Sequence, residues 1–274
     1  MDRREMIESL LVAGGSAFLS RCGMLARPAI APGIQLYTVR TLMAKDVAGT
    51  LESLSSLGYR EVELAGLHGQ TAGAMRALLD QHGLTSPSTH IGLPDLRRDA
   101  QRVFADAHTL GNRYVVVPWL DPSERETVAG YEKIAAELNE FGRAAQSAGL
   151  QLGYHNHDFE LQPIDGTVPY DVLLGNTDPA LVVMELDLFW LAKAGGDSNA
   201  YFARYPGRFP MLHVKDMTAA GEMVDVGRGT LDFRRVFEQA EAAGIRHAFV
   251  EHDEPADPLA SARASLTALR EVLP

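Results

Sequence analysis

The chain has 274 residues, 46% of them hydrophobic and 22% charged, an ordinary globular composition that supports one large core. Lys and Arg number 25 against 36 Asp and Glu, a net charge of −11 without a basic block, which argues against a nucleic-acid partner. The single cysteine, Cys22, lies near the start, so disulfides and thiolate metal sites are excluded and any metal must be held by His, Asp and Glu.

Arg3 and Arg4 form an arginine pair, an apolar stretch follows over residues 10–19, and Ala29-Ile30-Ala31 resembles a small-residue cleavage site. A membrane span needs about 20 apolar residues, so this stretch is too short for one. The pattern resembles a twin-arginine export signal over residues 1–31. It predicts a periplasmic mature protein without stable membrane association, folded over residues 32–274. The alternative is a cytoplasmic protein with an N-terminal extension.

From residue 33 onward, short runs rich in Val, Ile, Leu and Tyr alternate with longer helical patterns. Strands are predicted over 33–39, 61–65, 86–91, 114–119, 151–155, 182–187, 211–215 and 248–252. Leu57-Gly58-Tyr59 and Leu110-Gly111-Asn112 show how the units end, with a glycine past the helix and the chain entering the next strand. Leu138, Phe141, Ala145 and Ala148 mark one apolar helix face. Eight such units predict a single-domain (β/α)8 TIM barrel. An open doubly wound sheet often carries a Gly-rich phosphate turn after its first strand, and Tyr37-Thr38-Val39-Arg40 is not one. Gly227-Arg228-Gly229 comes late and reads as a structural turn.

Barrel strands are buried on both faces, so ionisable residues within them must be paired or bound to metal. Function in this fold sits at the carboxyl ends of the strands. Strand two carries Glu61 and Glu63, and strand three ends near His90. Strands five to eight end in His155-Asn156-His157-Asp158, Glu185-Leu186-Asp187, His213-Val214-Lys215-Asp216 and Glu251-His252-Asp253. Alternation puts His155 with His157, Glu185 with Asp187 and His213 with Lys215 on common faces. Four consecutive strands thus deliver acids and histidines to one rim. Such a set suits one divalent cation, Mn²⁺ first, with Mg²⁺, Co²⁺ or Zn²⁺ as alternatives.

The opening Gly33-Ile34-Gln35-Leu36-Tyr37-Thr38-Val39-Arg40, the run Tyr154-His155-Asn156-His157-Asp158-Phe159-Glu160 and His213-Val214-Lys215-Asp216 resemble the xylose-isomerase-like barrels of the sugar phosphate isomerase/epimerase branch. The resemblance covers roughly residues 33 to 270 and implies one metal ligand from each of strands five to eight. Asp187, His213 and Glu251 carry over. Epimerases of the group place a Glu on strand five, and Gly153 stands at that position here. His155 is the substitute ligand, with His157 as second choice. This departure moves the chain toward the inosose dehydratase type and toward lyases of 3-keto sugars.

The implied chemistry is proton abstraction next to a carbonyl, with the metal stabilising the developing enediolate. Return of the proton gives isomerisation or epimerisation; loss of a β-substituent gives dehydration. His155, His157 and Glu251 are the acid/base candidates. Lys215 either contacts a substrate oxygen or pairs with Glu185 or Asp187. Glu63 and His90 are expected to line the opposite rim and contact substrate hydroxyls, or else to be satisfied core groups. Trp119 and Trp190 are candidate walls for a sugar face, and Arg228 a candidate cap, with packing and solvation as their plainer roles. The partner is a small sugar or keto-sugar, and homo-oligomerisation stays open. The rival classes are a nuclease for abasic DNA, disfavoured by the acidic charge, and a non-catalytic sugar-binding barrel, which places no demand on metal ligands.

Overall fold

The computed structural model describes residues 30–274. The twin-arginine segment expected over residues 1–31 lies outside the described residues, except for Ile30 and Ala31. Among the described residues no helix is long and apolar enough to cross a membrane.

Eight parallel strands close a barrel. They are β1 (Pro32–Gln35), β2 (Glu61–Leu64), β3 (Thr85–His90), β4 (Tyr114–Val117), β5 (Gln151–His155), β6 (Val182–Asp187), β7 (Met211–Val214) and β10 (His247–Val250). Between the last two stands an antiparallel hairpin of β8 (Asp216–Met217) and β9 (Met223–Val224) that the periodicity does not predict. β1 completes the ring by pairing with both β2 and β10. The architecture is the TIM barrel expected from the alternating pattern.

Strands β5 and β6 have their predicted limits; the other six stop earlier than predicted. Residues 36–39, expected in β1, form a 3-10 turn instead, because the Gln35 side chain accepts a hydrogen bond from the Tyr37 N–H (3.1 Å) and caps it. β4 stops at Val117 because Pro118 has no N–H for the ladder. Helix ends follow the glycine pattern: Gly58 (φ 106°) and Gly111 (φ 79°) take the left-handed conformation at the ends of Val47–Leu57 and Leu93–Leu110.

Each strand feeds two cores. Outward-facing Ile34, Val62, Leu152, Leu186, Leu212 and Val250 pack against the helices. Each such buried side chain contributes about 1.5–3 kcal/mol. Inside the barrel, Tyr114, Val116, Met211 and Phe249 form a separate apolar plug. Small residues make room for it: a Cβ at Gly33 would lie 2.4 Å from Phe249, and one at Gly153 3.0 Å from Val116 and 3.3 Å from Met211. The plug divides the interior, leaving the carboxyl ends of the strands free to build a site.

Candidate active site

Directly above the plug, alternation along β2, β3, β6 and β7 sends Glu63, His90, Glu185 and His213 inward. They form a buried floor. Glu63, fully buried, accepts hydrogen bonds from Gln35 Nε2 (2.7 Å) and Ser88 Oγ, and lies 2.6 Å from His213 Nε2. His90 Nε2 lies 2.7 Å from Glu185 Oε2 and 3.2 Å from Glu63 Oε2. The His90 and His213 rings stack at 5.3 Å.

One step farther along the strands, Asp187, Lys215 and Glu251 form an upper tier. Lys215 Nζ is 3.1 Å from Asp187 Oδ2, 2.7 Å from Glu251 Oε2 and 2.8 Å from Asp253 Oδ1. Two imidazoles span floor and tier. His213 places Nε2 3.1 Å from Glu185 and Nδ1 2.6 Å from Glu251 and 4.0 Å from Asp187. His155 places Nδ1 3.5 Å from Glu185 and Nε2 3.9 Å from Asp187. The donor atoms fall into two groups, each within 4.8 Å: Asp187, His213 and Glu251, and His90, His155, Glu185 and His213. His155 therefore belongs by distance to the lower group and touches the upper one through Asp187.

The loop after β5 sets the aspartate. Asn156 Oδ1 accepts from the Asp187 N–H (3.0 Å), and Asp187 Oδ1 accepts from the Trp190 N–H (2.9 Å). Asp187 Oδ2 is left buried without a hydrogen-bond partner, as are Glu185 Oε1 and His155 Nδ1. Glu160, also buried, accepts from the Tyr154 hydroxyl and from the His157 N–H (2.8 Å), which pins the loop itself.

Burial alone would depress the His90 imidazolium, but Glu63 and Glu185 override it and hold its pKa up to about 9. In His213 and Lys215 burial is likewise overridden, by Glu185 and Glu251 and by Asp187 and Glu251, and both cations are held well above their usual range. Burial works to raise Glu251, yet Lys215 and His213 keep it well below the usual carboxylate range. Burial pushes Asp187 up to about 6 despite Lys215 and His213. His155 is driven well down by burial and by His213, and His157 falls to about 3 through burial and Lys215. Five carboxyl groups (Glu63, Glu185, Asp187, Glu251, Asp253) thus face three groups held cationic (His90, His213, Lys215). That imbalance, the buried carboxylate oxygens without hydrogen bonds and the nitrogen–oxygen donor set all fit a divalent cation.

The tier opens into a cavity of about 530 Å³, lined among others by His90, His155, His157, Lys215 and Glu251. His157 stacks flat on Phe159 (5.4 Å, 7°). Trp119 also lines the cavity, whereas Trp190 packs behind His157 at 5.7 Å. Of the two readings offered for Glu63, the structure places it as a satisfied core group: it lies in the floor, met by four neighbours, and does not line the cavity, whereas His90 does. Lys215 pairs with Asp187, Glu251 and Asp253 rather than with Glu185. The structure places Arg228 away from the cavity lining; its side chain is 70% exposed and 3.7 Å from Asp225. Its flanking glycines are indeed a turn, with the Gly227 and Gly229 N–H groups donating to Asp216 at 2.9 Å. Sequence reasoning missed Asn156, Glu160, Gln35 and Asp253 as partners of the site. Asn156 stood between two histidines already singled out, the one local signal that pointed to it.

Comparison with known proteins agrees with this fold. A family model described as xylose isomerase-like TIM barrel matches residues 51–272. An inosose dehydratase of Geobacillus kaustophilus is 27% identical over 209 residues, covering 67% of this chain and 66% of that protein. The matches to two Lacticaseibacillus casei inosose dehydratases span less than half of those proteins, 44% and 43%. Among solved structures, a sugar phosphate isomerase/epimerase of Parabacteroides distasonis superposes with a TM-score of 0.77 at 24% identity, covering 89% of this chain and 95% of that one. A barrel solved with a bound zinc atom superposes with a TM-score of 0.71 at 15% identity, covering 89% and 98%. The chain belongs to the xylose isomerase-like TIM barrel family.

Proposed function

We propose that the chain is a divalent-metal-dependent enzyme that removes the proton next to the carbonyl of a small polyhydroxylated ketone or keto-sugar and returns it elsewhere, as an isomerase or epimerase. The observation that carries this reading is the cluster of Asp187, His213 and Glu251, whose donor atoms lie within 4.8 Å of one another, with Asp187 Oδ2 buried without a hydrogen bond and met by the Lys215 ammonium at 3.1 Å. Asp187, His213 and Glu251 would hold the ion, with His155 Nε2 as a fourth donor. The upper group is preferred because two of its three donors are carboxylates and its Glu251 lines the cavity, which His90 and His155 of the lower group line as well. The floor then plays the supporting part, with carboxylates facing the outer nitrogens of both histidines. A divalent ion, Mn²⁺ first, supplies Lewis acidity toward a substrate oxygen.

The chain's own groups divide the remaining work. Glu251, at the cavity wall, is the carboxylate placed to take the proton once Lys215 turns from it to the substrate; paired as it stands with Lys215 and His213, it is held ionised and weakly basic. Lys215, held charged, donates to the substrate oxygen that gains electrons. His157 is held neutral at the cavity, with a buried Nδ1 that makes no hydrogen bond, which suits it to hydrogen-bond a substrate hydroxyl.

A second reading, β-elimination of water, is favoured by one observation. Gly153, where a Cβ would sit tightly 3.0 Å from Val116 and 3.3 Å from Met211, stands in place of the strand-five glutamate that epimerases of this kind use as their other base. Here Lys215 would protonate the departing hydroxide.

Incubating the Mn²⁺-loaded protein with ketoses and inososes in deuterated water tests both. Label uptake without elimination supports isomerisation or epimerisation, and loss of water supports the dehydratase. Inertness toward the whole panel contradicts the enzymatic reading. Export is likewise proposed: residues 1–35 fused to a reporter should carry it to the periplasm, and cytoplasmic retention contradicts this.

A further inference from the structure

We propose that the floor is itself a cation site, nitrogen-rich and suited to Zn²⁺, which an ion occupies in place of the Asp187 site and not together with it. The floor site goes beyond the metal reading above; only its exclusivity rests on that reading.

Four side chains converge there from β3, β5, β6 and β7: His90, His155, Glu185 and His213. Each offers one donor atom, and these atoms all lie within 4.8 Å of one another. Measured from Glu185 Oε2, His90 Nε2 stands at 2.7 Å, His155 Nδ1 at 3.5 Å and His213 Nε2 at 3.1 Å. A tetrahedral zinc ion with bonds of about 2.0–2.1 Å sets its ligand atoms about 3.3 Å apart. The observed spacings bracket that edge. The three imidazole rings form a tight triangle, with centroids 5.3, 5.3 and 4.4 Å apart.

Two atoms of this set have no other use. His155 Nδ1 and Glu185 Oε1 are buried and make no hydrogen bond, in side chains that are 3% and 0% exposed. Leaving such atoms unmatched is costly, and an ion relieves the cost. An entering ion replaces the direct contacts of His90 and His213 with Glu63 and Glu185. Glu63 keeps the hydrogen bonds from Gln35 Nε2 and Ser88 Oγ. The two carboxylates together match the charge of one dication bound by neutral imidazoles.

The floor and the Asp187 site share their imidazoles. A neutral imidazole has one bare nitrogen and one N–H, so it ligates one ion at a time. An ion in the floor takes His213 Nε2 and His155 Nδ1. The His213 proton then sits on Nδ1, 2.6 Å from Glu251 Oε2. An ion beside Asp187 takes the opposite nitrogens, and His213 Nε2–H donates to Glu63 Oε2 at 2.6 Å. Either choice hands the spare N–H of His213 to a carboxylate, which fixes the tautomer. The donor sets differ in kind. Three imidazoles with one carboxylate suit Zn²⁺, whereas a set with two carboxylates suits Mn²⁺.

Calorimetry with Zn²⁺ and with Mn²⁺ on the chelator-treated full chain tests the inference. His90 belongs to the floor group alone, so His90→Ala should weaken Zn²⁺ binding at least about tenfold and Mn²⁺ binding less than about threefold. Asp187→Asn should do the reverse, with Zn²⁺ affinity changed less than about threefold. The Zn²⁺-saturated parent should take up no Mn²⁺. Crystals of the parent grown with Zn²⁺ give a readout that needs no variant: anomalous diffraction should place the ion about 2.1 Å from His90 Nε2. A zinc ion beside Asp187 and Glu251 instead, a parent that binds no zinc, a folded His90→Ala chain with the parent's Zn²⁺ affinity, or two ions bound at once overturns the proposal. A parent that binds Zn²⁺ in the floor but no Mn²⁺ would support the floor site and contradict the Asp187 reading.

Discussion

Both ends of the barrel interior carry a histidine facing a glutamate, yet they are built to different ends. At the amino-terminal end, His247 Nδ1 lies 2.8 Å from Glu61 Oε2, both side chains are 17% exposed, and Phe249 and Tyr114 pack on the imidazole. That pair closes the barrel. At the carboxyl end, five carboxyl groups, four histidines and Lys215 crowd around a cavity, and four of their buried donor atoms (Glu185 Oε1, Asp187 Oδ2, His155 Nδ1 and His157 Nδ1) make no hydrogen bond. A polar residue inside a strand is therefore a poor sign of function by itself. An excess of unmatched donor atoms beside open space is a better one.

Substitutions at the two ends should break that symmetry. Asp187→Asn is expected to lower turnover at least about 10³-fold with little effect on folding, read from steady-state kinetics and circular dichroism. Gly153→Glu should not restore an epimerase carboxylate. Its Cβ would crowd Val116 and Met211 inside the barrel, so overpacking and a buried charge should destabilise by about 3 kcal/mol or more in a denaturant titration.

Glu160 adds a pH-dependent difference. Burial holds its carboxyl up to about 7 in the folded chain, above its unfolded value, so the protonated form favours folding. The wild type should therefore lose stability relative to Glu160→Gln as the pH rises from about 4.5 to 7, by on the order of 3 kcal/mol, with no further change above about pH 8. A flat difference across that window would contradict it. Glu185→Gln, which weakens the support under both histidines, should lower Mn²⁺ affinity about 10–100-fold. At the opposite end Glu61→Gln should cost only about 1 kcal/mol and leave turnover near the parent value.

Much of this was legible in the sequence because it follows from local periodicity. Eight strand–helix units, the glycine helix ends and the strand-end acids are each written within short windows, and alternation alone puts His155, Asp187, His213 and Lys215 on inward faces. What stayed hidden depends on contacts across the barrel. The depth of Glu63 beneath the cavity depends on Gln35, Ser88, His90 and His213, drawn from three other strands. The Gln35 cap that turns residues 36–39 out of β1 is a single side-chain hydrogen bond inside an otherwise strand-like run. The spanning of floor and tier by two imidazoles is geometric, so the sequence marks the histidines without saying which nitrogen meets which acid.

Titrating the purified, chelator-treated chain with Mn²⁺ by calorimetry, alongside Asp187→Asn and His213→Ala, addresses the metal site most directly. The account predicts one ion per chain for the parent and affinity at least about 100-fold weaker in both variants. A parent that binds no ion, or variants that bind as tightly as the parent, would contradict it.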